Sequence, residues 1–233
     1  MKFYISILAM DNLPLTKRCI ESVIKHSSDF ELLLTNNASK DGTASYFDQL
    51  AREPSADPVR VIHFDKNRGF QEPNTIALAA SEAPFFVMLN NDAEVPAGWL
   101  EKLVKPFDDP QMAIVGQRNA CCSLDKNFFG FRGPRYEYVE FSCAMIRRDL
   151  AVKHGLFSNY IRFANCEDAD TSLRMRELGY KIACADFSIE HAIGATRRNV
   201  PGLVEIFHRN LCACQNRWHD YLNSPDRKFP RER

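Results

Sequence analysis

The sequence predicts an α/β fold: a mostly parallel, Rossmann-like sheet flanked by helices, followed by a smaller irregular half. Three observations predict it. Short apolar runs recur through residues 1–116, and segments with helical apolar spacing separate them. Polar residues collect just after those runs, where a parallel sheet would bring them to one edge. Beyond residue 116 the regularity fails, and residues 117–136 carry Gly, Pro, Asn and aromatics with no clean period.

The elements follow in order. FYISILAM reads as a strand, and Leu15, Cys19, Ile20, Val23 and Ile24 then repeat at helical spacing. FELLLT is a second strand, ASKDGT a turn, and Tyr46, Phe47 and Leu50 mark a short helix. VRVIHF is a third strand, KNRGF a loop and TIALAA a helix. FFVML is the fourth strand, and Trp99, Leu100, Leu103, Val104 and Phe107 form one face of the helix after it. MAIVG is a fifth strand. In the second part VEFSCAMI is strand-like, and ADTSLRMREL is a helix stopped at Gly179. YKIACA is another strand, and a helix runs from Pro201 with Leu203, Ile206, Phe207 and Leu211 on one face. There is no repeat and no linker, so the expectation is one domain: a regular half over 1–116, an irregular half over 117–222, and a frayed tail over 223–233.

Bulk properties exclude several classes. The chain has 233 residues, 45% hydrophobic and 26% charged, which suits one sizeable core. Lys+Arg and Asp+Glu are both 30, so the basic excess of a nucleic-acid binder is missing. No apolar run reaches the roughly 18 residues a membrane span needs, which leaves peripheral association as the membrane mode to expect. MKFYISILAM is broken by Asp11 and Asn12 with no small-residue cleavage site, so it reads as a strand and not a leader. The eight cysteines form no CxxC pair, and three lie inside apolar segments. They are expected as free, buried thiols in a reducing, cytoplasmic setting.

The chemistry gathers after the strands. Asp11 and Asn12 follow the first, Asn36 and Asn37 the second, Asn67, Arg68 and Gly69 the third, and Asn90, Asn91 and Asp92 the fourth. Each has an ordinary reading, since Asn and Asp favour turns and an acid favours a helix entry. Together they also describe a cleft of amides and one carboxylate. Amides suit a nucleobase or ribose, Gly69 permits close backbone approach, and Asp92 is a hard oxygen ligand for Mg²⁺ or Mn²⁺. NCEDADTSLR crowds Glu167, Asp168 and Asp170 at a helix start, where the dipole favours acids. Crowded carboxylates also raise one another's pKa, which is one route to a general base. His191 follows a strand-like segment and is structural or a ligand.

In this order the segments resemble family 2 glycosyltransferases with the GT-A fold, in particular bacterial enzymes of surface-polysaccharide synthesis. The segments are TKRCIESV, LLLTNNASKDGT, NRGF followed by Asn74, LNNDAEVPAGWLEKL, CAMIRRDL, GLF, CEDADTSLRMRELGY and the later His. The resemblance covers nearly the whole chain. It implies an inverting, metal-dependent transferase that uses Mn²⁺ or Mg²⁺ and a nucleotide-diphosphate sugar, UDP- or dTDP-linked. The acceptor would be a glycan or lipid-linked hydroxyl. Asp92 and His191 would be metal ligands, and Asn90 and Asn91 would touch ribose or diphosphate. Met10, Asp11, Asn12 and Asn36 would hold the base, with Asn67, Gly69 and Asn74 on the donor side. Asp168 would be the catalytic base, with Glu167 orienting it or meeting the acceptor. The pattern departs from the family at Asn36, usually Asp, at Leu156-Phe157-Ser158, where Phe-Asp is common, and at Asn90, which leaves one carboxylate in the metal motif. Two other readings stand beside it. One is a sugar-nucleotide nucleotidyltransferase, although LAMDNLPLTKR has no Gly-rich loop. The other is a binding module that has lost catalysis.

Overall fold

The computed structural model describes residues 2–54, 57–133, 135–192 and 202–229. Its regular half alternates as the apolar runs require. Strands β1 (Phe3–Ala9), β2 (Phe30–Asn37), β3 (Val59–Phe64) and β4 (Phe85–Asn90) are separated by helices α1 (Leu13–His26), α2 (Thr43–Arg52) and α3 (Gln71–Ala80). A short strand β5 (Ala93–Glu94), helix α4 (Trp99–Val104) and strand β6 (Met112–Gly116) complete it. The irregular half holds β7 (Cys121–Leu124), β8 (Gly130–Phe131), β9 (Tyr138–Val139), β10 (Cys143–Arg147), α5 (Arg148–His154), α6 (Glu167–Glu177), β11 (Lys181–Cys184), β12 (Glu190–His191), α7 (Leu203–Arg217) and α8 (His219–Asn223).

The main sheet runs β11-β6-β10-β4-β1-β2-β3. All its pairings are parallel except those of β10, which is antiparallel to both β4 and β6. One apolar layer packs α1, α2 and α4 on one face through Ile20, Val23, Phe47, Trp99 and Leu103. A second packs α3, α5 and α6 on the other through Ala77, Leu78, Leu150 and Met175. Burial on both faces is why the strands read as unbroken apolar runs. VEFSCAMI divides into two strands, β9 and β10, and only β10 joins the main sheet.

Helix α6 shows how local sequence closes an element. Gly179 has φ +95°, its N–H donates to Arg176 O, and Tyr180 N–H donates to Met175 O. That reciprocal pair satisfies the last carbonyls and needs a residue that tolerates left-handed backbone, as the sequence expected at Gly179.

Two expectations are corrected. The tail is packed as far as Phe229, which is buried and stacks on Tyr221 with centroids 4.6 Å apart, while residues 230–233 lie outside the described residues. Nor are all cysteines free, because Cys121 and Cys184 form a disulfide with Cα atoms 6.0 Å apart. The bond fastens β7 to the edge strand β11. The two cysteines lie 63 residues apart in sequence, so spacing gave no sign of the pairing. Among the described residues no helix is long and apolar enough to cross a membrane.

Reducing Cys121–Cys184 should cost about 2–4 kcal/mol of stability through the freedom regained by the unfolded chain. Melting with and without a phosphine reductant checks this. The Cys184→Ala variant should melt at the reduced midpoint and no longer respond to reductant.

Candidate active site

A cavity of about 350 Å³ opens where the strand ends of the regular half meet the irregular half. That size suits a small ligand. Of the residues singled out in the sequence, Met10, Asn67, Gly69, Asn90, Asn91 and Asp92 line it from the sheet edge. Glu167, Asp168 and His191 line it from the irregular half.

Register explains the first group. Asn90 is the last residue of β4 and pairs with Leu8 of β1, so Asn91 and Asp92 emerge at the edge. Both are nonetheless buried. Asn91 Nδ2 donates to Thr16 Oγ1 at 2.8 Å, which ties the turn to α1. Strand β5 then pairs antiparallel with β12, placing His191 opposite Ala93. Nε2 of His191 thereby lies 3.0 Å from Asp92 Oδ1 and 3.4 Å from Asn90 Nδ2. Two residues nearly a hundred positions apart meet as a carboxylate and an imidazole. This donor pair fits a divalent cation of the Mn²⁺ type. Among the described residues no cluster of three or more His, Cys, Asp or Glu surrounds it. Substrate oxygens and water would complete such a site, as is usual for metals held against phosphates.

The donor-side group divides. Asn37, which the sequence reading did not choose, lines the cavity and organises the loop beside it. Its amide donates to Asn67 Oδ1 at 2.9 Å and Gly69 O at 3.0 Å, and its Oδ1 accepts from Arg68 N–H at 2.8 Å. Asn36, Asp11, Asn12 and Asn74 are not brought to the cavity wall. Asn36 is buried, accepts from Ser39 N–H at 2.9 Å, and lies 3.3 Å from His63 Nδ1. Asp11 Oδ1 accepts from Lys40 N–H at 2.6 Å, and Asn12 O begins α1 by accepting from Leu15 and Thr16 N–H. Asn74 accepts from Ser6 Oγ at 2.9 Å and donates to Phe70 O at 2.9 Å. These four hold loops and helices, the turn-type role their chemistry also allows.

The acids of NCEDADTSLR do not face one another as a group. Glu167 and Asp168 line the cavity from the first turn of α6, while Asp170 is fully buried on the other side. There it accepts from Ser158 Oγ, Tyr160 OH, Trp218 Nε1 and Arg174 Nε. A buried carboxylate is tolerable only with such partners, and this one pins α6 to the junction of α7 and α8 and to the 158–160 loop. Ser158 is the residue that departs from the family's usual Asp.

The segment before α6 is strained. Phe163, Asn165 and Cys166 have φ of +74°, +72° and +71°, a region costly for residues other than glycine. Asn210 of α7, wholly buried, holds it: Nδ2 donates to Arg162 O at 2.9 Å, Ala164 O at 2.8 Å and Asn165 O at 3.3 Å. On the other side Phe163 O accepts from Phe70 N–H at 2.5 Å and Gln71 N–H at 3.3 Å. Gly69 sits against the Phe163 backbone, where any Cβ would collide with it. This seam presses the 67–70 loop onto the segment that carries Glu167 and Asp168. Arg197 and Arg198, a pair whose sequence fits either closure over a diphosphate or a solvated loop, lie outside the described residues.

The sheet order, the Asp92–His191 pair and the acidic first turn of α6 agree with one further observation. The family model for glycosyl transferase family 2 matches residues 5–161. The chain belongs to glycosyl transferase family 2. The teichoic acid poly(glycerol phosphate) polymerase of Staphylococcus epidermidis is 31% identical over 115 residues, 46% of this chain and 16% of that protein. The match thus spans about a sixth of that relative's length. Three solved structures share the architecture. Mannosyltransferase PcManGT from Pyrobaculum calidifontis, solved with GDP-Man and Mn²⁺, gives a TM-score of 0.64 at 17% identity over 79% of this chain and 55% of its own. GalNAc-T7, solved with UDP, GalNAc and Mn²⁺, gives 0.74 at 14% identity over 95% and 49%. Residues 1–349 of S. aureus TarS, solved with UDP-GlcNAc, give 0.56 at 16% identity over 84% and 61%. At these identities the likeness establishes the GT-A fold, and the expectation of a glycosyltransferase domain stands on the family match.

Asn210→Leu should cost about 1–3 kcal/mol, because it strands buried carbonyls of the 162–165 segment. Calorimetry of the variant beside Asn210→Gln measures the loss. Unchanged stability in the Leu variant would show that the segment holds its own conformation.

Proposed function

We propose that the chain transfers a sugar from a nucleotide-diphosphate sugar to a hydroxyl of a glycan or lipid-linked acceptor, inverting the anomeric carbon with the aid of Mn²⁺ or Mg²⁺. The observation that carries this reading is that Asp92 and His191 share one cavity with Glu167 and Asp168. A cation ligand pair and a carboxylate pair are what a displacement at a sugar diphosphate requires. The solved relatives with GDP-Man, UDP and UDP-GlcNAc support the donor class. Amides of Asn67 and Asn90 supply polar groups for the nucleoside or its diphosphate, and Asn37 holds the Asn67–Gly69 loop in place.

In this reading Asp168 accepts the proton of the acceptor hydroxyl as its oxygen attacks the anomeric carbon. The nucleoside diphosphate leaves from the opposite face, which inverts the centre. Its first-turn position exposes Asp168 to the cavity, and Ala169 N–H donates to its Oδ1 at 2.8 Å, fixing the carboxyl. Glu167 flanks it and orients the acceptor. Asp92 and His191 would hold the divalent cation, which neutralises charge growing on the leaving diphosphate. The strained 162–165 segment and its partner Gly69 keep base and donor loop at fixed separation, a requirement of in-line attack.

Three measurements test the reading. In a thermal-shift screen of UDP, GDP, CDP and dTDP with their common sugars, one nucleotide should raise the midpoint with Mn²⁺ and lose that effect in EDTA. Asp92→Ala should abolish the metal-dependent part of the shift. Equal shifts in Mn²⁺ and EDTA would remove Asp92 from the metal role. Asp168→Asn should keep nucleotide binding and lose roughly 10²–10⁴-fold in transfer rate, the usual contribution of a general base. A fully active variant would exclude Asp168 as the base.

A further inference from the structure

We propose that Arg132 forms an acceptor subsite for an anionic group, a phosphate or carboxylate carried beside the hydroxyl that is glycosylated. This rests on the transferase reading above and adds the chemical class of the acceptor. Arg132 follows β8 in the small sheet β8-β7-β9, a flap beside the cavity. Among the described residues it is the one Lys or Arg side chain lining the cavity.

Its position is fixed while its charge stays available. A Cβ at Gly130 would collide with the Tyr138 hydroxyl, and one at Gly133 with Ser123 and the Phe131 ring. The backbone on either side of Arg132 therefore lies flush on the flap. The guanidinium itself is held loosely. It lies 3.7 Å from Glu140, donates to Cys121 O at 3.3 Å, and lies 3.5 Å from Cys122 Sγ. The side chains of Arg132 and Glu140 are 59% and 41% exposed, and an ion pair so exposed stabilises little. A planar fork in this state can exchange its partner for a substrate oxyanion, which it binds in two-pronged fashion.

The flap also lies on the base side of the cavity. Burial, and after it the charge of Asp168, pushes the Tyr138 phenol far above its ordinary range. Cys122 feels the charges of Glu140, Arg132 and Asp168 together. Arg132 and the carboxylate that would receive the acceptor proton line the same cavity. The cavity wall otherwise carries Asp92, Glu140, Glu167 and Asp168. An anionic acceptor entering an acid-lined cavity needs one local cation, and Arg132 is placed to be it.

The test uses the full chain with Mn²⁺ and its nucleotide, titrated with three oligomers of matched length: glycerol phosphate, glucuronic acid and neutral glucose. Binding is read by calorimetry at low and high salt, for the unaltered chain, Arg132→Gln and Arg132→Lys. We expect one anionic oligomer to bind roughly three- to tenfold more tightly than the neutral one at low salt. Which one does so tells phosphate from carboxylate. The preference should vanish in Arg132→Gln, survive in part in Arg132→Lys, and leave nucleotide affinity unchanged. Equal binding of all three oligomers, or a preference that persists in Arg132→Gln, overturns the proposal. Loss of nucleotide affinity in Arg132→Gln also overturns it, since the guanidinium would then serve the donor. Absence of any nucleotide binding by the unaltered chain counts against the transferase reading alone, because the oligomer titrations are repeated without nucleotide.

Discussion

Strand β4 lies between β1 and β10 with both faces covered, and its backbone groups have no water to pair with. Each N–H and C=O must therefore be met by a neighbouring strand. That requirement keeps β4 in register to its last residue, where Asn90 N–H donates to Ser142 O at 3.0 Å. Only beyond that point can the chain turn. The position of Asp92 in space is thus set by the packing of Phe86, Val87, Met88 and Leu89 into the two apolar layers. The same parallel order brings the loops after β1, β2 and β3 to this edge, so one packing constraint assembles this wall of the cavity.

The opposite wall depends on different physics. Its carboxylates sit at the first turn of α6, reached through three residues in left-handed backbone. Such a segment persists only when its surroundings over-determine it. Asn210 from α7, the buried Asp170 network and the Gly69–Phe163 seam do so from three directions. The left-handed backbone costs stability locally, and the surrounding hydrogen bonds offset that cost while placing two carboxylates in the cavity wall. The flap completes the cavity, and the disulfide to β11 fastens it at its base.

Much of this was legible in the residues. The apolar runs and helical spacings set the strand and helix order of the first half, and Gly179 marked a helix end. The sequence placed Met10, Asn67, Gly69, Asn90, Asn91, Asp92, Glu167, Asp168 and His191, and all reach one cavity. Asn36, Asp11, Asn12 and Asn74 are not among the residues lining that cavity. Amides after strands have the same residue types whether they face a ligand or tie a turn, and only the direction of the side chain separates the two uses. Asn37 beside Asn36 shows this: adjacent residues on a strand point to opposite faces, and one residue of register decides which meets the cavity. The tail failed for a related reason, because the partners of Phe229 lie on α8 and in the preceding turn and not beside it in the polar stretch DRKFPRER.

What the sequence determined by itself is therefore periodic or local: the apolar runs, the helical faces, the turn chemistry, and the motifs whose residues are neighbours in the chain. Covalent order fixes those before any contact forms. What only the tertiary structure decided is long-range. It brought His191 to Asp92 through a two-residue strand too short to carry a period. It set Asn210 beneath the 162–165 segment, turned Asp170 away from its neighbours, and joined Cys121 to Cys184. These partners are distant in the chain, and no local preference of either residue specifies the other. Close packing selects them, because a buried polar group is stable only where the fold delivers its partner.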